Sequence, residues 1–170
     1  IRIIEHVIVN NSHEVMLQNK IWMEKGYEGS ILKDWSGVFK DGTSNKQLKI
    51  KLKISVEMRI VGFKDGTIGT KREGKVGSII FKNDEGTVDG RCSGFTDEFL
   101  DEVTNNKEKY LGKIIEVEFN DLSRASGSET YALSHPRFIE FRLDKSSTDK
   151  LEQIFKMREM AMDVSSYFEK

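Results

Sequence analysis

The feature that most limits how this chain folds is a series of short apolar runs in its second half. Clusters of Gly, Asp, Asn and Ser separate the five runs, which are Val56–Phe63, Val76–Lys82, Gly86–Ser93, Lys113–Asn120 and Phe138–Arg142. Short runs between turn-forming residues are typical of β-strands. Five such strands within about 100 residues favour a small antiparallel barrel or sandwich.

Helices are predicted at two places around these runs. Between the third and fourth runs, Thr96 is a capping residue type, and Phe99, Leu100 and Val103 give the following turns an apolar side. Five strands with a helix between the third and fourth match an OB-fold. A last helix is predicted from about residue 148 to residue 162, because apolar residues recur there at helical spacing, and it is expected to cover the barrel.

The first 33 residues have a different texture. Arg2–Asn10 is rich in β-branched residues and predicts a buried strand. Asn11, with Glu14 three residues later, resembles a capping box, and Gly26 suits the end of the helix that would follow. Gly29–Lys33 predicts a second strand. The chain as a whole is therefore expected to be of the α+β class.

The segment Leu48–Ile54 alternates apolar and basic residues without a break. Successive side chains of a strand point to opposite faces, so the pattern predicts one continuous strand with two different faces. The predicted buried residues are Leu48, Ile50, Leu52 and Ile54, and the predicted outward row is Lys49, Lys51 and Lys53.

Composition narrows the functional classes. The 170 residues carry 32% charged side chains, a net charge of −1 and one proline, which is typical of a globular chain rather than a disordered or membrane one. A single cysteine, Cys92, excludes an internal disulfide and fits a reducing compartment. We expect an intracellular monomer with no membrane partner. The chain begins at Ile1 rather than at methionine, so we expect a piece of something longer.

Three strings place charged groups on predicted strands or strand ends. They are EGSILK at Glu28–Lys33, LKIK at Leu48–Lys51 and HPRFIEFRLDK at His135–Lys145. In this order they resemble the fourth, fifth and sixth motifs of the ATP-dependent DNA ligases, within the covalent nucleotidyltransferases, and in particular the ligases of tailed bacteriophages. Ser134 and Glu140 depart from this pattern, since many cellular ligases have arginine at both positions.

The resemblance implies specific roles in the first region. Glu28 matches the glutamate that helps to hold Mg²⁺ at the nucleotide, and hard carboxylate oxygens suit that ion. Lys49 and Lys51 match the lysines that contact the α-phosphate of ATP and of the adenylate. Lys33 matches the basic end of the fourth motif. Because Lys33 follows Glu28 by five residues, a regular strand would place the two side chains on opposite faces. Without the resemblance, a solvated strand edge is the better explanation of Glu28, and a solvated strand face is the commoner explanation of Lys49 and Lys51.

Arg142, Asp144 and Lys145 match the RxDK element of the sixth motif. In the family this element orients the leaving pyrophosphate during enzyme adenylylation, and we predict the same catalytic role here. Arginine offers phosphate a planar fork and lysine a point charge. The family's catalytic cycle implies that the OB domain turns about a hinge, here near Lys53–Val56.

One motif that the resemblance leads us to expect is missing from this sequence. Enzyme adenylylation needs a lysine nucleophile in a KxDG string, and none occurs. Lys40-Asp41-Gly42 and Lys64-Asp65-Gly66 are one residue too short and read as turns. We therefore interpret the chain as the C-terminal portion of a ligase that cannot adenylylate itself. The predicted domains are the end of an α/β nucleotidyltransferase domain (residues 1–53), an OB-fold (54–146) and a helical tail (147–170).

Nucleic-acid contact is predicted from one basic loop. Lys64, Lys71, Arg72 and Lys75 cluster between the first two barrel strands, where they suit contacts with duplex phosphates or, equally, a solubilising hairpin tip. The resemblance implies nicked double-stranded DNA as partner and, for a phage-encoded protein, the host cytoplasm as location. Two alternatives stay open: an OB-fold module that binds nucleic acid without chemistry, and a fragment of an RNA ligase or capping nucleotidyltransferase.

Overall fold

The structure, a computed structural model, describes residues 4–38, 40–42 and 44–163. The chain divides into two compact units. Of the described residues, Lys53–Met160 form the larger unit, and those up to Leu52 together with those after Met160 form the smaller unit. Each unit has its own sheet, so each is described separately below.

The smaller unit contains one helix and a two-stranded antiparallel sheet. Helix α1 spans Ser12–Glu24, and strands β1 and β2 span Gly29–Lys33 and Gln47–Lys51. Helix α1 packs on β1, where the buried side chain of Asn19 accepts a hydrogen bond from the Ser30 hydroxyl at 2.6 Å. This contact fixes the helix against one face of the sheet.

Both predicted ends of α1 are confirmed. The Asn11 side chain accepts a hydrogen bond from the Glu14 amide at 2.9 Å, and the Glu14 carboxylate in return accepts from the Asn10 amide at 2.8 Å. At the other end Gly26 has a φ of 90°, and its amide donates to the Met23 carbonyl. A glycine adopts this left-handed conformation at little cost, so the chain can leave the helix here.

The predicted strand Arg2–Asn10 is not found. Arg2 and Ile3 lie outside the described residues, and Ile4–Asn10 belongs to no strand and is mostly exposed. A strand exists only where a neighbour supplies hydrogen bonds. Among the described residues of this unit, β1 and β2 pair only with each other. A run of β-branched residues without a pairing partner is therefore left as irregular chain.

The predicted continuous strand Leu48–Ile54 is also wrong. Strand β2 ends at Lys51, and the next strand begins at Ile54 and pairs in the other sheet. Leu48 is 61% exposed, whereas Leu52 and Ile54 are buried. Both strands share the two-residue period, so the pattern runs through the break unchanged. Of the predicted hinge Lys53–Val56, Ile54–Val56 already lies in a strand ladder.

The larger unit is a curled β-sheet. Its main strands are β3 (Ile54–Asp65), β4 (Val76–Lys82), β5 (Val88–Cys92), β6 (Ile114–Phe119) and β9 (Arg137–Phe141). Strand β3 pairs with β4 and β6, β4 with β5, and β6 with β9, all antiparallel. A parallel bridge between Ser93 and Arg137 joins the ends of the series, and the Phe138 amide donates to the Ser93 carbonyl at 3.0 Å.

This arrangement confirms the predicted OB-fold. Helix α2 (Asp97–Asn105) and the short helix α3 (Lys107–Tyr110) lie between β5 and β6, and Thr96 caps α2 as expected. The barrel interior is filled by alternating side chains from β3, β4 and β6. The largest that are fully buried in these strands are Phe81, Phe119, Met58, Ile60, Ile79 and Ile115.

Two features after β6 complete the unit. The segment Asp121–Leu133 carries two short strands that the sequence did not indicate, β7 (Leu122–Ser123) and β8 (Tyr131–Leu133), and β8 adds to β5 in parallel. The predicted last helix is present as α4 (Leu151–Met162), with Ile154 fully buried. Within the described ranges, no helix is long and apolar enough to cross a membrane.

Candidate functional site

A cleft of about 910 Å³ lies in the smaller unit, and the predicted phosphate-binding residues line it. The strand register places Gly29 opposite Lys51, Ile31 opposite Lys49, and Lys33 opposite Gln47. Residues opposite one another in an antiparallel pair share a face of the sheet. Lys33, Lys49 and Lys51 therefore lie on one face, and all three line the cleft.

Glu28 joins these lysines through an ion pair. Its carboxylate lies 2.7 Å from the Lys51 ammonium, whose side chain is only 20% exposed. The expectation that Lys33 points away from Glu28 is wrong, because Glu28 precedes β1 rather than belonging to it. The strand alternation therefore does not extend back to Glu28.

Gly29 makes this pairing possible. Its φ is 148°, and a Cβ at this position would lie 2.1 Å from the carbonyl oxygen of Ile50. Only glycine lets the two backbones approach so closely at the point where the chain enters β1. The residue thus positions both Glu28 and the end of β2.

The chemistry of the cleft suits a polyphosphate better than a metal alone. Lys33, Lys49 and Lys51 line it together with the carboxylates of Glu5, Glu28 and Asp34, and its apolar lining residues include Trp22, Tyr27 and Ile31. Glu5 and Asp34 form ion pairs with Lys25 and Lys46, which lie outside the lining. Among the described residues, no group of three or more His, Cys, Asp and Glu side chains could hold a metal ion. Mg²⁺ commonly takes one or two carboxylates and completes its shell with phosphate oxygens and waters. Glu28 fits that mode.

The second predicted group, the RxDK element, follows β9 in the larger unit. Asp144 accepts hydrogen bonds from Nε and Nη2 of Arg142 at 3.1 and 2.9 Å. This charge-assisted pairing lowers the pKa of the Asp144 carboxyl to about 2 and raises the pKa of Arg142 above its ordinary value. Both groups therefore stay charged across the physiological pH range.

Two glutamates of the barrel complete the surroundings of this element. Nη1 of Arg142 lies 2.8 Å from Glu57 and 3.6 Å from Glu116, and the Lys145 ammonium lies 3.1 Å from the same oxygen of Glu57. Neither glutamate belongs to one of the three motif strings. Each stands in an alternating run as an ordinary outward residue, and only the strand register shows that they are neighbours.

The backbone around the element is held by further contacts. The Arg142 amide donates to the Ile114 carbonyl, and the Asp149 amide donates to the Glu57 carbonyl at 3.0 Å. The Asp149 carboxylate accepts from the Glu57 amide at 2.7 Å. The segment from β9 to α4 is thus attached to β3 and β6 at both ends.

The four basic residues predicted to contact nucleic acid differ in their positions and in their contacts. Lys64 belongs to β3, and Lys71 and Arg72 lie in the turn that leads to β4. Lys75 forms an ion pair with Asp101 of α2. The Arg72 guanidinium contacts the Gly77 carbonyl at 3.4 Å. Two of the four cations therefore already have a partner within the protein.

The sequence of the chain is similar to those of known DNA ligases. No protein-family model matches the chain. The DNA ligase of Enterobacteria phage T4 is 32% identical over 167 residues, which cover 90% of this chain and 33% of that protein. The DNA ligase of Methanothrix thermoacetophila is 31% identical over 175 residues, covering 89% and 31% respectively. The chain spans about a third of the length of these curated relatives.

Solved structures agree in fold. The structure named Pmar-Lig_Pre superposes with a TM-score of 0.65 at 29% identity, over 76% of this chain and 30% of that one. A Lig E DNA ligase superposes with a TM-score of 0.63 at 18% identity over 80% of this chain, which supports the fold alone. By sequence and by fold, the chain is similar to the C-terminal portion of DNA ligases.

Proposed function

We propose that this chain forms the phosphate-handling portion of an ATP-dependent DNA ligase that seals nicks in duplex DNA. In the complete reaction ATP adenylylates a lysine of the enzyme and releases pyrophosphate, and the adenylyl group then passes to the 5′-phosphate of the nick. The 3′-hydroxyl attacks that phosphate, forms the phosphodiester bond and releases AMP. The proposed organisation has the end of a nucleotidyltransferase domain at residues 1–53, an OB domain at 54–146 and a helical tail at 147–170. Such an enzyme would serve DNA replication, repair or recombination.

The observation that carries the proposal is the shared face of β1 and β2. Lys33, Lys49 and Lys51 line one cleft there, with Glu28 in an ion pair with Lys51. The volume of about 910 Å³ falls within the range of small-molecule sites. In our proposal Lys49 and Lys51 bind the α-phosphate of ATP and later of the adenylate, and Lys33 adds to the positive field.

Glu28 is the proposed protein ligand of Mg²⁺. A bound Mg²⁺ would neutralise developing charge on the phosphate oxygens. Glu28 would then exchange its contact with Lys51 for the ion, and the released ammonium would be available for phosphate. Arg142, Asp144 and Lys145 are proposed to orient the leaving pyrophosphate, through the fork of the arginine and the point charge of the lysine.

The nucleophile is not among the residues of this chain, since no KxDG string occurs in it. We therefore propose that the 170 residues alone cannot form a lysyl adenylate. Incubating the chain with radiolabelled ATP and Mg²⁺, followed by denaturing electrophoresis, tests this directly. The expected result is no labelled band, and a stable covalent adenylate would overturn it.

Nicked double-stranded DNA is the proposed partner. The relatives named above are DNA ligases, which favours DNA over RNA ends as the substrate. Lys64, Lys71, Arg72 and Lys75 are the proposed contacts with backbone phosphates. Their binding should weaken as salt rises, because phosphate contacts release counterions. Salt-independent binding, or binding unchanged in a Lys71→Ala/Arg72→Ala variant, would remove this patch from the proposal.

The test of the whole proposal is nick sealing by the longest polypeptide that the gene encodes. We expect Lys49→Ala to reduce sealing by at least about 100-fold, as loss of a group that stabilises a phosphoryl transition state does elsewhere. Lys40→Ala is the matched control, because Lys40 is an exposed lysine of the β1–β2 connection outside the cleft lining. Normal sealing by Lys49→Ala would refute the role given to β2.

A further inference from the structure

Three glutamates form a row across the outside of the barrel. The strand register places Glu57 of β3 opposite Glu116 of β6, and Glu116 opposite Glu140 of β9. The side chains of Glu57 and Glu116 are only 15% and 22% exposed. Like charges directly opposite one another on neighbouring strands are destabilising. We refer to Glu57 and Glu116 as the carboxylate pair.

Arg142 and Lys145 compensate the carboxylate pair. The Nη1 atom of Arg142 contacts both glutamates, and the Lys145 ammonium contacts Glu57. Nε and Nη2 of Arg142 are engaged by Asp144. Every nitrogen of the guanidinium thus faces a carboxylate. The cluster contains two cations and three anions, so its formal charge is negative.

A polyphosphate therefore cannot simply add to this cluster. Phosphate oxygens need the same N–H groups that the carboxylates occupy, and a net negative cluster repels them. The backbone of the element is attached to β3 and β6 by the contacts of Arg142 and Asp149. The groups that can change partner are thus the side chains of Arg142 and Lys145.

We propose that Glu57 is a positioning residue of the RxDK element, which acts with Glu116 by holding Arg142 and Lys145 on the barrel in competition with polyphosphate. The carboxylate pair occupies the donors that pyrophosphate would take, so phosphate binding requires an exchange of anions. This inference rests on the phosphate-binding role proposed for the element. In this inference Glu57 sets the equilibrium between two states. In the stored state Arg142 and Lys145 contact the carboxylate pair, and in the engaged state they bind phosphate.

The test is a titration of the 170-residue chain with inorganic pyrophosphate, by isothermal calorimetry at constant ionic strength without metal. Glu57→Gln keeps the size of the side chain and removes its charge. We expect it to bind pyrophosphate about three- to tenfold more tightly than the unsubstituted chain, because one anion no longer competes. Glu116→Gln should give a smaller gain, since its contact with Arg142 is longer.

Glu140→Gln is the matched control. Glu140 belongs to the same row and loses the same charge, but it forms no ion pair with Arg142 or Lys145. Its affinity for pyrophosphate should change less than about twofold, as expected for a screened surface charge. An equal gain in Glu140→Gln would mean that only bulk charge matters, and the proposal would fail. An unchanged or weaker affinity in Glu57→Gln would also overturn it.

Two further variants test whether Glu57 competes with phosphate for Arg142 or only supports the structure of the barrel. Glu57→Asp keeps the charge and should stay closer to the unsubstituted chain than Glu57→Gln does. Adding Arg142→Gln to Glu57→Gln should abolish the gain, because the released donor is then missing. If the gain persists without Arg142, the proposed exchange is wrong. Thermal unfolding of each variant shows whether the barrel is intact.

Nick sealing distinguishes this inference from the proposed function. If Glu57→Gln tightens pyrophosphate binding but the longer polypeptide seals no nicks, the proposed function fails and the exchange of anions stands. If nicks are sealed but Glu57→Gln leaves pyrophosphate binding unchanged, the role of Glu57 fails and the function stands.

Discussion

Gly29 controls the geometry of the cleft at the scale of a single residue. It combines a φ of 148° with the close approach of the Ile50 carbonyl, so both its backbone conformation and its lack of a Cβ are required. Glu28 precedes it, and Lys51 is its partner across the sheet. Any shift at Gly29 is therefore transmitted to both members of the ion pair.

We predict that Gly29→Ala disrupts the pairing of β1 with β2. The backbone conformation alone costs about 1–3 kcal/mol for a non-glycine residue, and a contact of 2.1 Å with a backbone oxygen forces the strands apart. Hydrogen exchange of the Leu32 and Leu48 amides, which belong to a hydrogen-bonded pair of this ladder, measures the loss, which should appear as faster exchange in both strands.

Gly26→Ala is the matched control for this experiment. Gly26 also has a positive φ, of 90°, but a Cβ there would meet nothing within 4 Å. The substitution should cost about 1 kcal/mol and leave the exchange of β1 and β2 nearly unchanged. Equal effects of the two substitutions would show that the close approach at Gly29 is unimportant.

Cys92 gives a prediction about reactivity. The thiol is 1% exposed, and burial raises its pKa to about 12. Because the reactive thiolate forms only as pH approaches that value, Cys92 should react with Ellman's reagent at pH 8 only as fast as the barrel opens. A Cys92→Ser/Ser93→Cys variant, with the thiol at the exposed neighbouring position, should react in seconds to minutes. Rapid labelling of native Cys92 would contradict its burial.

The candidate site illustrates how far single residues can be predicted. Glu28, Lys49, Lys51 and the RxDK residues are candidates from the sequence because each lies in a short motif. Glu57 and Glu116 were not, since they are far apart in sequence and meet only through the register of β3 and β6. Register depends on hydrogen bonding between strands and on core packing, which no local pattern records.

At the scale of elements, Asp84 connects the β4–β5 turn to the segment after β9. We refer to its contacts with Arg59 and Thr148 as the tie. The Asp84 carboxylate binds the Arg59 guanidinium at 2.7 and 3.0 Å and accepts from the Thr148 amide, while the Thr148 hydroxyl accepts from the Asp84 amide. Arg59 also donates to the Ser146 carbonyl. Thr148 is therefore used in this tie, which explains why α4 begins at Leu151 rather than at residue 148.

The tie predicts a dependence of stability on pH. Arg59 is the largest cause of the lowered pKa of Asp84. A lowered pKa stabilises the fold above the unfolded value of about 3.9, and this contribution disappears as pH falls through the folded value. At pH 7, Asp84→Asn should destabilise the barrel by no more than about 1 kcal/mol, because the pair is partly exposed. In urea titrations, the difference in unfolding free energy between Asp84→Asn and the unsubstituted chain should be smaller at pH 2 than at pH 7.

Helix α4 should contribute directly to the stability of the barrel unit. Ile154 is fully buried, the Phe155 ring meets Tyr131 edge-on at 5.3 Å, and Arg158 binds Asp121 at 2.6 Å. We expect Ile154→Ala to lower the free energy of unfolding by about 2–4 kcal/mol, through lost burial and the cavity left behind. Met160→Ala, at a 64% exposed position of the same helix, should change it by less than about 0.5 kcal/mol. Similar losses in urea denaturation would mean that α4 does not pack through Ile154.

Elements were predictable where their pattern was long and their pairing local. The five barrel strands and α2 lie within a few residues of the expected ranges, because turn residues bound each run. Strands β7 and β8 have two and three residues, too few for a period to be visible. The strand predicted at Arg2–Asn10 failed for the opposite reason, since composition favoured a strand but its described residues have no pairing neighbour.

At the scale of the whole molecule, the two units differ in how much core they possess. All the buried apolar side chains of the described residues except Met23 and Leu52 belong to Lys53–Met160. The smaller unit exposes large apolar side chains instead, among them Ile4, Ile8, Ile31, Trp35, Val38 and Leu48. A two-stranded sheet with one helix is marginal by itself, whereas a closed barrel of this size is a typical independent domain.

We therefore predict that residues 53–163 fold when produced alone. Their amide spectrum should be as dispersed as the corresponding signals of the 170-residue chain, and the amides of β3, β4 and β6 should keep their protection from hydrogen exchange, because the barrel supplies its own core and hydrogen bonds. Residues 1–52 produced alone should exchange rapidly throughout β1 and β2. A collapsed or unfolded spectrum for 53–163 would show that the barrel needs the smaller unit, contrary to the distribution of its buried side chains.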